Sequence, residues 1–67
     1  MISITLNGET REVPADIDLD KMLEIFALPR GRIAIELNNT VVRRSDWPQT
    51  PIREGDKIEV VHFVGGG

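Results

Sequence analysis

From Ile2 onward apolar and polar positions alternate, putting Ile2, Ile4 and Leu6 on one face, and Val13 continues an inward face on a second period-two run. Asn7-Gly8 lies between the runs. A two-residue hairpin turn needs φ > 0 at both central positions, so this pair predicts a tight antiparallel hairpin. The period then changes. In "PADIDLDKMLEIFALPRG", Leu19, Met22, Leu23 and Phe26 stand at i, i+3, i+4 and i+7, the stripe of one amphipathic helix. Asp18 is the expected N-cap, with Asp20 in the first turn against the positive end of the helix dipole and Ile17 stapled onto Met22; Asp16 is the alternative start. Pro29 and Gly31 are expected to end the helix, since proline lacks a donor and disfavours αR in the residue before it.

"RIAIELNNTVV" predicts a third strand over Ile33 to Leu37, a turn at Asn38-Asn39 and a short return through Val41 and Val42. "RRSDWPQTPI" is too proline-rich for a regular element and is expected to be a surface loop with a single turn near Ser45 to Trp47. Gly55-Asp56 is a last turn, and Lys57 to Val64 is the longest strand candidate. The order β-β-α-β-(β)-β, with a helix to cover one face of a mixed sheet, is that of an α+β protein of the β-grasp type. The helix makes a crossover long enough to bring the third strand back in a parallel pairing. One domain over 1–64 is expected, followed by a flexible glycine tail over 65–67.

Composition narrows the chemistry. A chain of 67 residues buries only about 60% of the surface its unfolded form exposes, so the core is small. There is no cysteine and a single histidine, which excludes a disulfide framework and a thiolate metal site and leaves apolar packing to hold the fold. That usage suits the cytoplasm. A net charge of -3 with a pI near 4.9 argues against a nucleic-acid partner, whose phosphates would be repelled. No apolar stretch approaches the ~20 residues of a membrane span, and the chain reads as a mature soluble protein.

A search for catalytic constellations finds neither a phosphate-binding loop nor a nucleophile paired with a base. His62 stands alone on a strand and is read as a packed or rim residue; Asp18 with Asp20, and Glu54 with Asp56, are read as cap and turn residues. Arg30, Arg32, Arg43 and Arg44 form the basic concentration of the chain, either a solvated face balanced by the acids or a docking patch for an acidic partner. Trp47 is read as core support beneath a loop, with an exposed hot-spot role as the alternative.

The last strand says more. If Ile58 and Val60 face the helix, alternation sends Glu59, Val61 and Phe63 to the opposite face, which a single helix cannot cover. Val61, Phe63 and Val64 then form a candidate partner interface leading into Gly65-Gly66-Gly67, unless a loop folds back over them. The glycines are a frayed or cloning remnant, a linker cut short, or a working C-terminus. The third reading has a physical basis: glycine offers nothing to obstruct a narrow tunnel, and three extended residues reach roughly 10 Å beyond the strand.

The "LNGE" hairpin, "IAIELNNTVVRRSDW" and above all "EGDKIEVVHFVGGG" resemble the ThiS family of thiamine-biosynthesis sulfur carriers, a ubiquitin-like β-grasp family, over nearly the whole chain. Arg43 departs from the proline that the family often has before the arginine. The resemblance implies that Gly67 is the reactive residue. It implies an adenylating partner resembling ThiF, which uses ATP and Mg²⁺ to make an acyl-adenylate, then a persulfide sulfur that displaces AMP to leave a thiocarboxylate. A thiazole synthase resembling ThiG would accept the sulfur. The chain itself would bind no cofactor, catalyse nothing alone and be monomeric. The small subunit of molybdopterin synthase resembles the chain less, since it approaches its glycines through a proline-containing segment where Phe63-Val64 stand here. A carrier for another sulfur metabolite and a plain ubiquitin-like binding module are the remaining alternatives.

Overall fold

The computed structural model describes residues 1–64; Gly65, Gly66 and Gly67, the expected tail, lie outside the described residues. Five strands and one α-helix follow one another as β1 (Ile2–Leu6), β2 (Glu9–Val13), α1 (Leu19–Ile25), β3 (Ile33–Leu37), β4 (Thr40–Val42), a 3₁₀ segment (Arg44–Gln49) and β5 (Lys57–His62). They form one mixed sheet in the order β2-β1-β5-β3-β4, the β-grasp arrangement expected. Both hairpin turns take the conformation their asparagines predict, with φ of 50° at Asn7 and 84° at Gly8, and 52° and 71° at Asn38 and Asn39.

The parallel pairing falls elsewhere than expected. β3 runs in the same direction as β2, but β1 and β5 lie between them; the parallel neighbours are β1 and β5, joined at Thr5↔Lys57 and Leu6↔Ile58. The last strand enters the middle of the sheet, so the helical crossover must span a gap rather than place its two strands side by side.

Asp18 is the N-cap, its Oδ1 accepting the Lys21 N–H at 2.7 Å, and Leu19, Met22 and Leu23 are buried beneath it. The helix ends at Ile25, ahead of the proline and glycine expected to stop it. Ala27 takes φ of 53°, its N–H bonds to the Glu24 carbonyl, and the Leu28 N–H reaches back to the Leu23 carbonyl at 2.9 Å. This is the Schellman closure, made with alanine where glycine is usual.

The proline-rich stretch is more regular than a loop with one turn. Trp47 anchors it: the indole is buried in the core and its Nε1–H donates to the Val42 carbonyl at 3.0 Å. Pro48 fits inside the 3₁₀ segment because its fixed φ suits that geometry and the Thr50 N–H still closes onto the Trp47 carbonyl. The Leu19 N–H then bonds to the Thr50 carbonyl and the Ile52 N–H to the Ile17 carbonyl, tying this segment to the start of α1. The core between sheet and helix is built from Ile4, Leu6, Val13, Ile33, Ile35, Ile58 and Val60 on the strands with Leu19, Met22, Leu23, Trp47 and Ile52 above them. Each fully buried side chain of this kind contributes about 1.5–3 kcal/mol relative to exposure.

Candidate functional site

β5 decides what the molecule offers to a partner. Ile58 and Val60 are buried against the helix layer, so Glu59 and Val61 turn to the open face of the sheet, where Val61 lies opposite Ala34 and Glu59 opposite Glu36 of β3. Nothing among the described residues folds back over them: Val61 is 48% exposed and Phe63 49%, and Trp47, the one candidate cover, is committed to the core on the other side. Val41, opposite Glu36 on β4, adds a third wet apolar side chain to the same face. The strand ends at His62 rather than Val64, yet the Phe63 N–H still bonds to the Arg32 carbonyl at 2.9 Å, so the backbone is held in line for one residue more. Val64, 95% exposed, leads off toward Gly65, Gly66 and Gly67, the reactive-tail residues of the sequence reading, which lie outside the described residues.

Other candidates take structural roles. His62 is exposed at the rim of the sheet opposite Ile33. Glu54 accepts the Ser3 N–H, while Asp56 accepts the Arg53 N–H and the Asn38 amide, so these acids serve the last turn. The four arginines have different neighbours. Arg30 pairs with Asp20, Arg43 lies 4.0 Å from Asp46, and Arg44 stacks over Trp47 at 4.6 Å, leaving Arg32 beside Phe63. Among the described residues no group of His, Asp or Glu is placed to hold a metal ion, and no helix is long and apolar enough to cross a membrane.

Two residues matter here that sequence reading treated only as turn formers. Asn7 Oδ1 accepts the Val60 N–H at 2.8 Å, and Asn38 Oδ1 accepts the Lys57 N–H at 2.9 Å. The two hairpin turns thus grip β5 from opposite sides. An asparagine in an Asn-Gly or Asn-Asn turn carries no sequence signal for this, because the bond partner is set by which strand lies alongside.

These features define a β-grasp domain whose last strand presents Val61 and Phe63 on an open face and leads in sequence to the glycines. The chain belongs to the ThiS family, whose model matches residues 4–67. It is 33% identical to a sulfur carrier protein ThiS from Thermus thermophilus over 96% of this chain and 98% of that one. A crystal structure of the thiamine biosynthesis protein ThiS from Geobacter metallireducens superposes with a TM-score of 0.86 at 26% identity, covering 98% of this chain and all of the other. A thiazole synthase from Paramagnetospirillum magneticum is 32% identical across 98% of this chain, which spans only 20% of that protein's length.

Proposed function

We propose that this chain is a sulfur carrier for assembly of the thiazole of thiamine, with the Gly67 carboxyl carbon as the point of attachment. The chain itself catalyses nothing; partner enzymes act on it. The carboxylate oxygen of Gly67 attacks the α-phosphorus of ATP held with Mg²⁺ by an adenylating enzyme of the ThiF type, and pyrophosphate leaves. Adenylation turns a poor leaving group into a good one. A persulfide sulfur then attacks the acyl carbon and AMP departs; a second thiol cleaves the resulting S–S bond, is oxidised to a disulfide, and frees the thiocarboxylate. A thiazole synthase of the ThiG type is the acceptor. Its support is the thiazole synthase whose own chain includes a stretch like this one. We place these steps in the cytoplasm, with the carrier monomeric until it docks.

The observation that carries the reading is the placement of Val61 and Phe63. Both are half exposed on a face that no other element among the described residues covers, and only Val64 separates Phe63 from the glycines in sequence. Threading the tail into an enzyme costs about 1–2 kcal/mol per residue in backbone entropy. Completing the burial of these two side chains offsets part of that, at about 25 cal/mol per Å². Other contacts with the enzyme supply the remainder, and a modest net affinity suits a carrier that must also leave.

Incubation with the adenylating enzyme, ATP, Mg²⁺ and a persulfide donor is expected to add the mass of one oxygen-for-sulfur exchange, localised to Gly67 by fragmentation. Sulfur at any other residue, or none with any such enzyme, overturns the proposal.

A further inference from the structure

β5 outruns one of its two neighbours. On one side β3 follows it as far as Ile33↔His62, and the Arg32 carbonyl takes the Phe63 N–H. On the other side β1 pairs only at Thr5 and Leu6 before the Asn7-Gly8 turn carries the chain away into β2. The ladder with β3 uses odd-numbered residues of β5, as the Phe63 N–H to Arg32 and the Asn38 N–H to Lys57 bonds define. The even-numbered residues therefore turn their backbone groups toward β1. The Ile58 carbonyl accepts the Asn7 N–H at 2.9 Å and the Val60 N–H donates to Asn7 Oδ1, and there the ladder stops. Among the described residues, the Val60 carbonyl and both the N–H and the carbonyl of His62 have no hydrogen-bond partner.

A groove opens at Asn7, the residue that caps this edge. Leu6, Phe26 and Leu28 supply its apolar lining, Asn7 is shared with the edge, and the Glu9–Arg11 ion pair, 2.8 Å long, forms the polar side. A donor and an acceptor on one residue, spaced as in a strand, are satisfied by the backbone of another extended chain, and a neighbouring pocket takes an alternate side chain of it.

Building on the reading of Gly67 as the delivered group, we infer that the β5 edge from Val60 to Val64 is a strand-addition site. Its occupant is an extended segment of the enzyme that receives the tail, with one apolar side chain in the Leu6–Phe26–Leu28 groove. The edge is continuous in sequence with the glycines. Clamping it as a sheet strand fixes the direction in which they leave the body, which the open face around Val61 alone cannot do. A second copy of this chain is the weaker occupant, because each copy carries a net charge of -3 and like charges oppose association.

The test uses the whole chain with the adenylating enzyme and with the thiazole synthase. The His62 amide hydrogen is expected to exchange fast in the free protein and at least roughly tenfold more slowly in a complex. His62→Pro removes this N–H without touching the ladder to β3, while His62→Ala keeps it. The proline variant is expected to bind at least roughly tenfold more weakly than the alanine variant, a difference of about 1.4 kcal/mol. Equal binding of two folded variants overturns the inference. Should His62→Pro fail to fold, the exchange measurement on the unaltered chain decides, and an amide as fast in both complexes as in the free protein overturns it. Protection that grows with concentration of the carrier alone assigns the edge to a second copy and also overturns it. The Gly67 adduct is read in the same samples. An adduct with an unprotected His62 removes the edge proposal alone, whereas no adduct and no binding to either enzyme removes both.

Discussion

The side-chain carbonyl of Asn7 accepts the backbone N–H of Val60 at 2.8 Å across a separation of 53 residues, so the tip of the first hairpin stands in for the next residue of a strand. Through that bond the turn that ends β1 also holds the strand that carries the candidate site. Asn7→Gly keeps a residue suited to φ of 50° but removes the acceptor, leaving a partly buried N–H without a partner. A loss of about 1–2 kcal/mol is expected in denaturant unfolding. Faster amide exchange at Val60 should accompany it; an unchanged midpoint and an unchanged Val60 amide would show that the bond contributes nothing.

Phe63→Ala separates docking from folding. The ring is half exposed beyond the end of β5 and outside the core cluster, so the unfolding free energy should change by no more than about 1 kcal/mol. Affinity for the adenylating enzyme should fall by roughly tenfold or more, the loss typical of an interface anchor. Titration calorimetry beside a melting curve checks both, and global unfolding of the variant would mean that the open face has been misidentified.

Deleting Gly66 and Gly67 distinguishes a carrier from a binding module. The body that docks is left whole, so binding through the sheet face is expected to persist while acyl-adenylate and thiocarboxylate are lost entirely. Retention of sulfur delivery by the shortened chain, measured as thiazole product in a reconstituted assay, contradicts the role proposed for Gly67.

Ala27→Gly should stabilise the protein. Alanine at φ of 53° bears the left-handed penalty of a β-carbon, about 1–2 kcal/mol, which glycine avoids while giving back about 0.4–1 kcal/mol through its freer unfolded chain. The net expectation is a gain of about 0.5–1 kcal/mol by denaturant titration. A loss would mean that the alanine methyl makes a packing contact worth more than the backbone strain.

Most of the fold was legible because local chemistry and global need agree. Asn7-Gly8 and Asn38-Asn39 can turn at positive φ, Asp18 can cap, and Leu19, Met22 and Leu23 fall on one helical stripe, so each element follows from its own few residues. The exposure of Val61 and Phe63 was legible for the same reason: a period of two permits only one face to be covered by one helix. The end of α1 was not, since Ala27 adopts its left-handed angle only because Leu28 is drawn back onto the core. Nor was the regularity of the proline-rich stretch, which depends on Trp47 finding a buried site and the Val42 carbonyl.

The order of the strands and the α-helix, the buried stripe and the outward set on the last strand are properties of residue spacing, and the amino-acid sequence alone determined them. Which strands became neighbours was decided only in three dimensions. A one-dimensional pattern records the direction a side chain faces but not the chain that lies beside it. The insertion of β5 between β1 and β3 produced the parallel pair, the grip of Asn7 on Val60 and the unpaired edge at His62, because all three depend on where a hairpin tip ends relative to a strand more than fifty residues away.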